Sequence, residues 1–180
     1  MRILTLLYLI YCLLLGQASA AEGVARLNRF FHESESLAGR FSQTVLDEDG
    51  EVLQQSRGGV KLLRPGRFIW QYDAPYAQRI VADGRYLWIY DQDLAQVTQR
   101  PLQEALGAAP IMLLSEARPL REDFDILADE ERGGLHWVVL APKVEDMDFT
   151  RVELAMGTDG LKQMVLYDQF GQQTLIRFPT

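Results

Sequence analysis

The chain has 180 residues, 48% of them hydrophobic and 24% charged, with a formal net charge of −7. That length holds one domain with a sizeable core. The acidic balance argues against a nucleic-acid partner and against electrostatic docking on anionic lipid.

The N-terminus reads as a secretory leader. Met1-Arg2 is a short positive start, Ile3 to Leu15 an apolar run, and Ala18-Ser19-Ala20 a small-x-small cleavage site. Residues 1–20 are therefore expected to be a signal peptide and residues 21–180 a single mature domain. A lipobox needs a small residue before its cysteine, but Tyr11 precedes Cys12, so no lipid anchor is expected there. Cleavage removes Cys12, the one cysteine, so the mature fold has no disulfide and must hold by apolar packing. It also removes Arg2 and leaves 17 basic side chains against 25 acidic ones, a net charge of −8. No second apolar run is long enough to span a bilayer.

Glu22 to Ser36 is predicted helical, with Val24, Leu27 and Phe31 on one face, Phe30 beside them, and Arg26, Arg29 and Glu33 opposite. Such a helix either packs on its own sheet, the commoner arrangement, or covers a cavity. Phe41, Gln43 and Val45 alternate as a first strand, and Asp47-Glu48-Asp49-Gly50 turns the chain into a second, Val52 to Leu63. Gly58-Gly59 predicts a bulge or bend inside it. In the stretch from Lys61 to Asp91, Phe68, Trp70 and Tyr72 alternate with Ile69, Gln71 and Asp73. Asp83-Gly84 predicts a two-residue hairpin, with Ala82 facing Arg85, Ile80 facing Leu87 and Gln78 facing Ile89. One face is then aliphatic, and the other carries Val81, Tyr86, Arg79 and Trp88. Neither face is polar throughout, so a sheet covered, or ligand-facing, on both sides is expected. Leu94 to Thr98 adds a strand.

Pro101 to Leu106 is predicted helical with Gly107 as its stop, and Pro110 to Leu114 a second, wholly apolar helix with proline in its first turn. From there strands return: Phe124 to Ala128, Leu135 to Leu140, Phe149 to Met156, Leu161 to Tyr167 and Thr174 to Phe178. Turns are expected at Glu131-Arg132-Gly133-Gly134, Thr158-Asp159-Gly160 and Phe170-Gly171. Short loops and the lack of a βαβ rhythm predict a mainly β, α+β domain: one curled antiparallel sheet with a few helices on one side.

Conventional reaction centres are missing from the sequence. His32 and His136 have no cysteine or carboxylate at ligand spacing, and ordinary surface or core roles fit them better than ligation. Glu130-Glu131, Glu145-Asp146-Asp148 and Asp47-Glu48-Asp49 read as solvated loop carboxylates. No Gly-rich phosphate loop, G-x-S-x-G or H-E-x-x-H occurs. The unusual items are the crowded aromatics between Phe68 and Tyr90 and, beside them, Arg64 in a pre-proline position that favours extended backbone. Core packing for the rings and a surface charge for Arg64 are the bland readings.

The order FSQTVLDEDGEVLQQSRGGVKLLRPGRFIWQYDAP, IVADGRYLWIYDQDLAQVTQRPL, APIMLL and LYDQFGQQTLIRF resembles the LolA family of periplasmic outer-membrane lipoprotein carriers, from about Leu37 to Phe178. RPGRFIW and DGRYLWIYDQDLAQV are the specific blocks. The resemblance implies an unclosed antiparallel β-barrel with a lid of short helices over an apolar cavity for acyl chains. It implies a periplasmic, non-enzymatic, monomeric protein without cofactor or metal. Its partners would be acylated lipoproteins as cargo, the LolCDE inner-membrane transporter as donor and a LolB-type acceptor. The family's latch arginine falls on Arg64 and its aromatic cavity-mouth position on Phe68. Trp70, Ile80, Leu87 and Ile89 join Phe68 as the expected cavity wall. Leu27, Phe31, Leu102, Ile111, Met112 and Leu114 are the expected lid. The family continues past the IRF strand with a further strand and a P-x-G ending, whereas this chain ends at Phe178-Pro179-Thr180.

Two other classes compete. A sensor of mislocalised lipoprotein built on a similar sheet would need a further domain or anchor. An envelope hydrolase would need a catalytic constellation.

Overall fold

The computed structural model describes residues 22–105, 110–115, 120–144 and 147–179. The expected leader lies outside these residues, as do Leu106, Gly107, Glu145 and Asp146.

Among the described residues one helix, α1 (Glu22–Glu33), precedes the sheet. Its buried stripe is Gly23, Leu27 and Phe30, with Val24 and Phe31 half-buried at its margins, so Phe30 rather than Phe31 faces inward most fully. Eleven strands follow: β1 (Ser36–Leu46), β2 (Val52–Leu63), β3 (Arg67–Ala74), β4 (Gln78–Asp83), β5 (Tyr86–Asp91), β6 (Gln96–Pro101), β7 (Phe124–Arg132), β8 (Leu135–Pro142), β9 (Arg151–Gly157), β10 (Gly160–Tyr167) and β11 (Gln173–Arg177). They form one antiparallel sheet in the order β6-β5-β4-β3-β2-β1-β11-β10-β9-β8-β7. The end strands β6 and β7 are not paired with each other, so the sheet is not closed into a barrel.

Between β6 and β7 the chain makes a 3₁₀ turn at Leu102–Glu104 and a short helix, α2 (Met112–Ser115). The expected helix from Pro101 is thus only this 3₁₀ turn within the described residues. The expected helix from Pro110 starts two residues later.

Alternation governs the burial of β2 and β3. Ser56, Gly58, Val60 and Leu62 are buried while Arg57, Lys61 and Leu63 are exposed, and Phe68 and Trp70 are buried while Arg67 and Ile69 are exposed. Gly58 is where β2 meets its neighbours most tightly. A Cβ there would lie 1.8 Å from Gln71 O and 2.8 Å from Phe41 Cζ. The β2–β3 register shifts at this point, between Arg57 and Gly58, as the glycine pair predicted. The missing side chain lets Phe41 stack on Trp70, ring centroids 3.8 Å apart.

Three expectations need correction. In the β4–β5 hairpin Ala82 faces Leu87 and Ile80 faces Ile89, so the turn is centred on Gly84-Arg85, one residue later than predicted. Asp83 Oδ1 accepts the N–H groups of both Arg85 and Tyr86 at 2.8 Å and fixes the turn there. Because the pairing moves by two positions, every side chain keeps its predicted face.

The sheet is also not covered on both sides. Tyr86 and Tyr90 on the outer face are 36% and 41% exposed, and Arg79 is exposed. There Tyr86 packs edge-on against Trp88 and Arg85 lies over the Tyr86 ring, so the aromatics shelter one another instead of a second layer.

Finally, Glu130, Glu131 and Arg132 belong to β7 rather than to a turn. Pairing with β8 carries them, Glu131 opposite His136 and Arg132 opposite Leu135. Arg132 reaches Glu130 and Glu153 at 3.1 and 2.8 Å, so Glu130 is paired as well as solvated.

The helix α1 lies on β7 to β10. Its first turn is held from across the chain: Asp129 accepts the backbone N–H of Gly23 (Oδ1, 3.1 Å) and of Val24 (Oδ2, 2.9 Å). A helix begins with unpaired N–H donors and the positive end of its dipole, and a carboxylate satisfies both. Gly23 makes the approach possible, since a Cβ would sit 2.3 Å from Asp129 Oδ1.

Candidate functional site

The inner face of β2 to β5 presents two rows of cross-strand neighbours. One runs Val60, Trp70, Ile80, Ile89, and the next Leu62, Phe68, Ala82, Leu87. Trp70 and Leu87 are fully buried, Phe68 and Ile80 nearly so, and Ile89 is half-buried against the same cluster. All five expected wall residues therefore share one apolar surface, as hairpin parity requires. From the helical side Leu27, Leu102, Ile111, Met112 and Leu114 are buried in the same contiguous cluster, with Phe31 packed at its edge. At the far end of the wall a polar pair interrupts it, Tyr72 Oη donating to Gln43 Oε1 at 3.0 Å. Burial pushes the Tyr72 phenol up, and its Trp70 and Gln43 neighbours partly offset this.

Arg64 stands just beyond the Leu62–Phe68 row, where β2 turns into β3. Its side chain is buried rather than exposed. The Nε donates to Leu114 O at 2.9 Å, and Nη1 donates to Ser34 O. Leu114 belongs to α2, and Ser34 directly follows α1, so one guanidinium holds the C-terminal carbonyls of both helices. The backbone repeats the clasp: Arg64 N donates to Glu35 O and Gly66 N to Ser115 O, each at 2.9 Å. The guanidinium carbon also lies 4.9 Å from the ring centres of both Phe30 and Phe31.

The electrostatics of this clasp are unusual. Among the described residues Arg64 pairs with no carboxylate, and its Nη2 is buried without a partner. Burial pulls the guanidinium below its ordinary pKa, yet a guanidinium stays protonated. A buried cation held by carbonyls and ring faces, with one donor unspent, is bound more weakly than in a full salt bridge.

The residues that sequence reasoning missed are the acceptors. Ser34 and Leu114 act through main-chain oxygens, which no side-chain pattern announces. Phe30, not Phe31, is the ring most deeply buried under the clasp. His136 is a buried strand residue and His32 an exposed helix residue, and no group of three or more His, Cys, Asp or Glu side chains among the described residues could hold a metal ion. No described helix is long and apolar enough to cross a membrane.

An unclosed antiparallel sheet, lidded by short helices clasped over an apolar interior, is the architecture of a protein that shelters apolar groups from water. The sequence comparison is more specific. Residues 32–180 match the family model described as outer membrane lipoprotein carrier protein LolA, and the chain belongs to this family. Among its relatives, the outer-membrane lipoprotein carrier protein of Methylobacillus flagellatus is 38% identical over 178 residues, covering 99% of this chain and 87% of the relative. That of Methylococcus capsulatus is 42% identical over 165 residues, covering 91% and 79%. In fold, the chain is similar to a LolA superfamily protein of Nitrosomonas europaea, with a TM-score of 0.52 at 12% identity over 90% of this chain and 92% of that one.

Proposed function

We propose that this protein is a periplasmic carrier that accepts acylated lipoproteins released from the inner membrane, shelters their acyl chains between lid and sheet, and delivers them to the outer membrane. Family membership supports the cargo class. The observation that carries the mechanism is the Arg64 clasp. In the closed form the lid's own apolar side chains occupy the place acyl chains would take, and the interior stays dry without cargo. Opening must break the bonds from Arg64 to Leu114 O and Ser34 O. Charge-assisted bonds of this kind contribute roughly 1.5–3 kcal/mol each. Each such bond holds the closed–open balance toward the closed form by about one to two powers of ten, and apparent cargo affinity is lowered by the same factor. A carrier needs that weakness, because it must give its cargo up.

On this reading the donor is a LolCDE-type transporter, the acceptor a LolB-type protein, and the carrier works as a non-enzymatic monomer after residues 1–20 are cleaved. The experiment is to purify the protein from the periplasm and analyse what comes with it by mass spectrometry. A diacylglyceryl-modified polypeptide in stoichiometric amount is expected. Recovery with no acylated protein when lipoprotein release is active would overturn the reading.

A further inference from the structure

The outer face of the sheet carries a feature that the clasp does not use. Cross-strand pairing sets Arg40, Gly59, Gln71, Arg79 and Tyr90 in one row across β1 to β5, and Lys61, Ile69, Val81 and Trp88 in the next. In the first row Gly59 alone has no side chain. A recess of about 490 Å³ opens there, with Arg40, Lys61, Ile69, Gln71, Asp73 and Arg79 in its lining. Neither the backbone nor the packing requires this glycine. Its φ lies outside the left-handed region, and a Cβ on it would meet nothing nearer than 3.8 Å. A Cβ on the adjacent Gly58 would lie 1.8 Å from Gln71 O. Glycine weakens a strand interior and can mark a place where a ligand or another backbone comes close.

The rim of the recess is cationic, in a chain whose net charge is −7. Arg79 donates only to a neutral group, giving Gln71 Oε1 two bonds at 3.1 and 2.8 Å. Gln71 Nε2 in turn donates to Asp73 Oδ1 at 3.4 Å. Arg40 pairs with Asp73 at 2.7 Å, but the two side chains are 63% and 34% exposed. A pair so open to water is worth little and exchanges readily for another anion. Lys61 has no ion-pair partner among the described residues. Gln71 and Asp73 therefore fix an arginine on either side of Gly59, and three cations face one carboxylate. Beside them the face turns apolar, with Ile69 and Val81 in the row alongside and Trp88 next on β5.

We propose that this face docks an extended acidic segment of a partner protein, with a carboxylate seated over Gly59 between Lys61 and Arg79 and an apolar side chain on Ile69 and Val81. Arginine, tryptophan and tyrosine side by side are the composition of protein interfaces. A free phosphate would use the cations and leave the apolar strip bare. Local charge, not the net acidity, decides recognition here, because charges beyond about 10 Å are screened. The recess lies on the opposite face of the sheet from the apolar interior, so the inference goes beyond the carrier reading.

The test is fluorescence anisotropy on the purified protein with a labelled synthetic peptide that alternates Glu and Val, beside a version in which Gln replaces Glu. The Glu peptide should bind, and the Gln peptide about 3- to 10-fold more weakly. Raising the salt should weaken the Glu peptide and not the Gln peptide. Gly59→Val fills the recess with a residue that strands favour. It should melt no lower than the wild type and lose at least about 10-fold in affinity for the Glu peptide. Lys61→Glu combined with Arg79→Glu, both exposed, should cost about 3- to 10-fold and abolish the salt dependence, and it decides the matter should Gly59→Val fail to fold. Equal binding of the two peptides would overturn the proposal, as would wild-type affinity in folded Gly59→Val protein or in the double reversal. Binding of phosphatidylglycerol vesicles or inorganic phosphate in place of the Glu peptide would overturn it too, and assign the recess to phosphate.

Discussion

Asp129 Oδ2 accepts the backbone N–H of Val24 at 2.9 Å, joining the first turn of α1 to a strand 105 residues later in the chain. Together with the Gly23 bond it fixes one end of the helix to the sheet, while Arg64 holds the other end through Ser34 O. The two ends are anchored differently. At one end a carboxylate accepts two main-chain donors, and at the other a buried guanidinium with an unspent donor grips a main-chain carbonyl.

If that cap is structural, Asp129→Ala should cost about 0.5–2 kcal/mol, as loss of other N-caps does. In a domain of this size that lowers the melting temperature by a few degrees, about 2–4 °C per kcal/mol. Thermal melts followed by circular dichroism check this. An unchanged melting temperature would mean that α1 is held by its apolar stripe alone.

Hairpin parity makes a prediction about faces. Leu87 is fully buried on the inner row, whereas Tyr90 is 41% exposed on the outer face. Leu87→Glu buries an unpaired carboxylate and should destabilise by about 3 kcal/mol or more while weakening binding of an apolar fluorescent probe. Tyr90→Glu should change neither by a measurable amount. Denaturant midpoints and probe titrations, run on both variants, distinguish the faces.

The β4–β5 turn supplies a pH effect. Backbone N–H groups of Tyr86 and Arg85, then the Trp88 side chain, hold the Asp83 carboxyl below its usual range. Its pKa is thus lower folded than unfolded, so its contribution is present above pH of about 4 and is lost as pH falls through the folded value. Asp83→Asn should therefore melt lower than the wild type at neutral pH, with the gap narrowing in acid. A gap that widened in acid would contradict the assignment.

Much of the fold was legible because its elements are governed by local rules. β2 runs over the predicted Val52–Leu63, since alternation marks its body and Asp47 to Gly50 its start. The hairpin register differs from the expected one because Asp83 is not a loop residue: its side chain serves as the acceptor that places the turn after it. Its faces survived, because a two-residue shift preserves parity. β7 reaches Arg132 because long-range pairing with β8 overrides the charged, turn-like composition of Glu130 to Gly133. Arg64 and the wall residues could be singled out from the RPGRFIW block and the hairpin. The oxygens that Arg64 grips could not, being main-chain atoms 30 and 50 residues away, and Asp129 could not be linked to α1 by any local signal.

The central claim is that Arg64 weakens cargo binding by clasping the lid. The direct measurement is a two-stage assay on folded Arg64→Leu protein: lipoprotein release from inner-membrane vesicles, then transfer to purified acceptor. Leucine keeps an apolar stem but offers no donor to Leu114 O or Ser34 O. The account predicts that release proceeds, that cargo is held at least about 10- to 100-fold more tightly, and that transfer largely fails. Transfer at the wild-type rate, with cargo affinity unchanged, would contradict it.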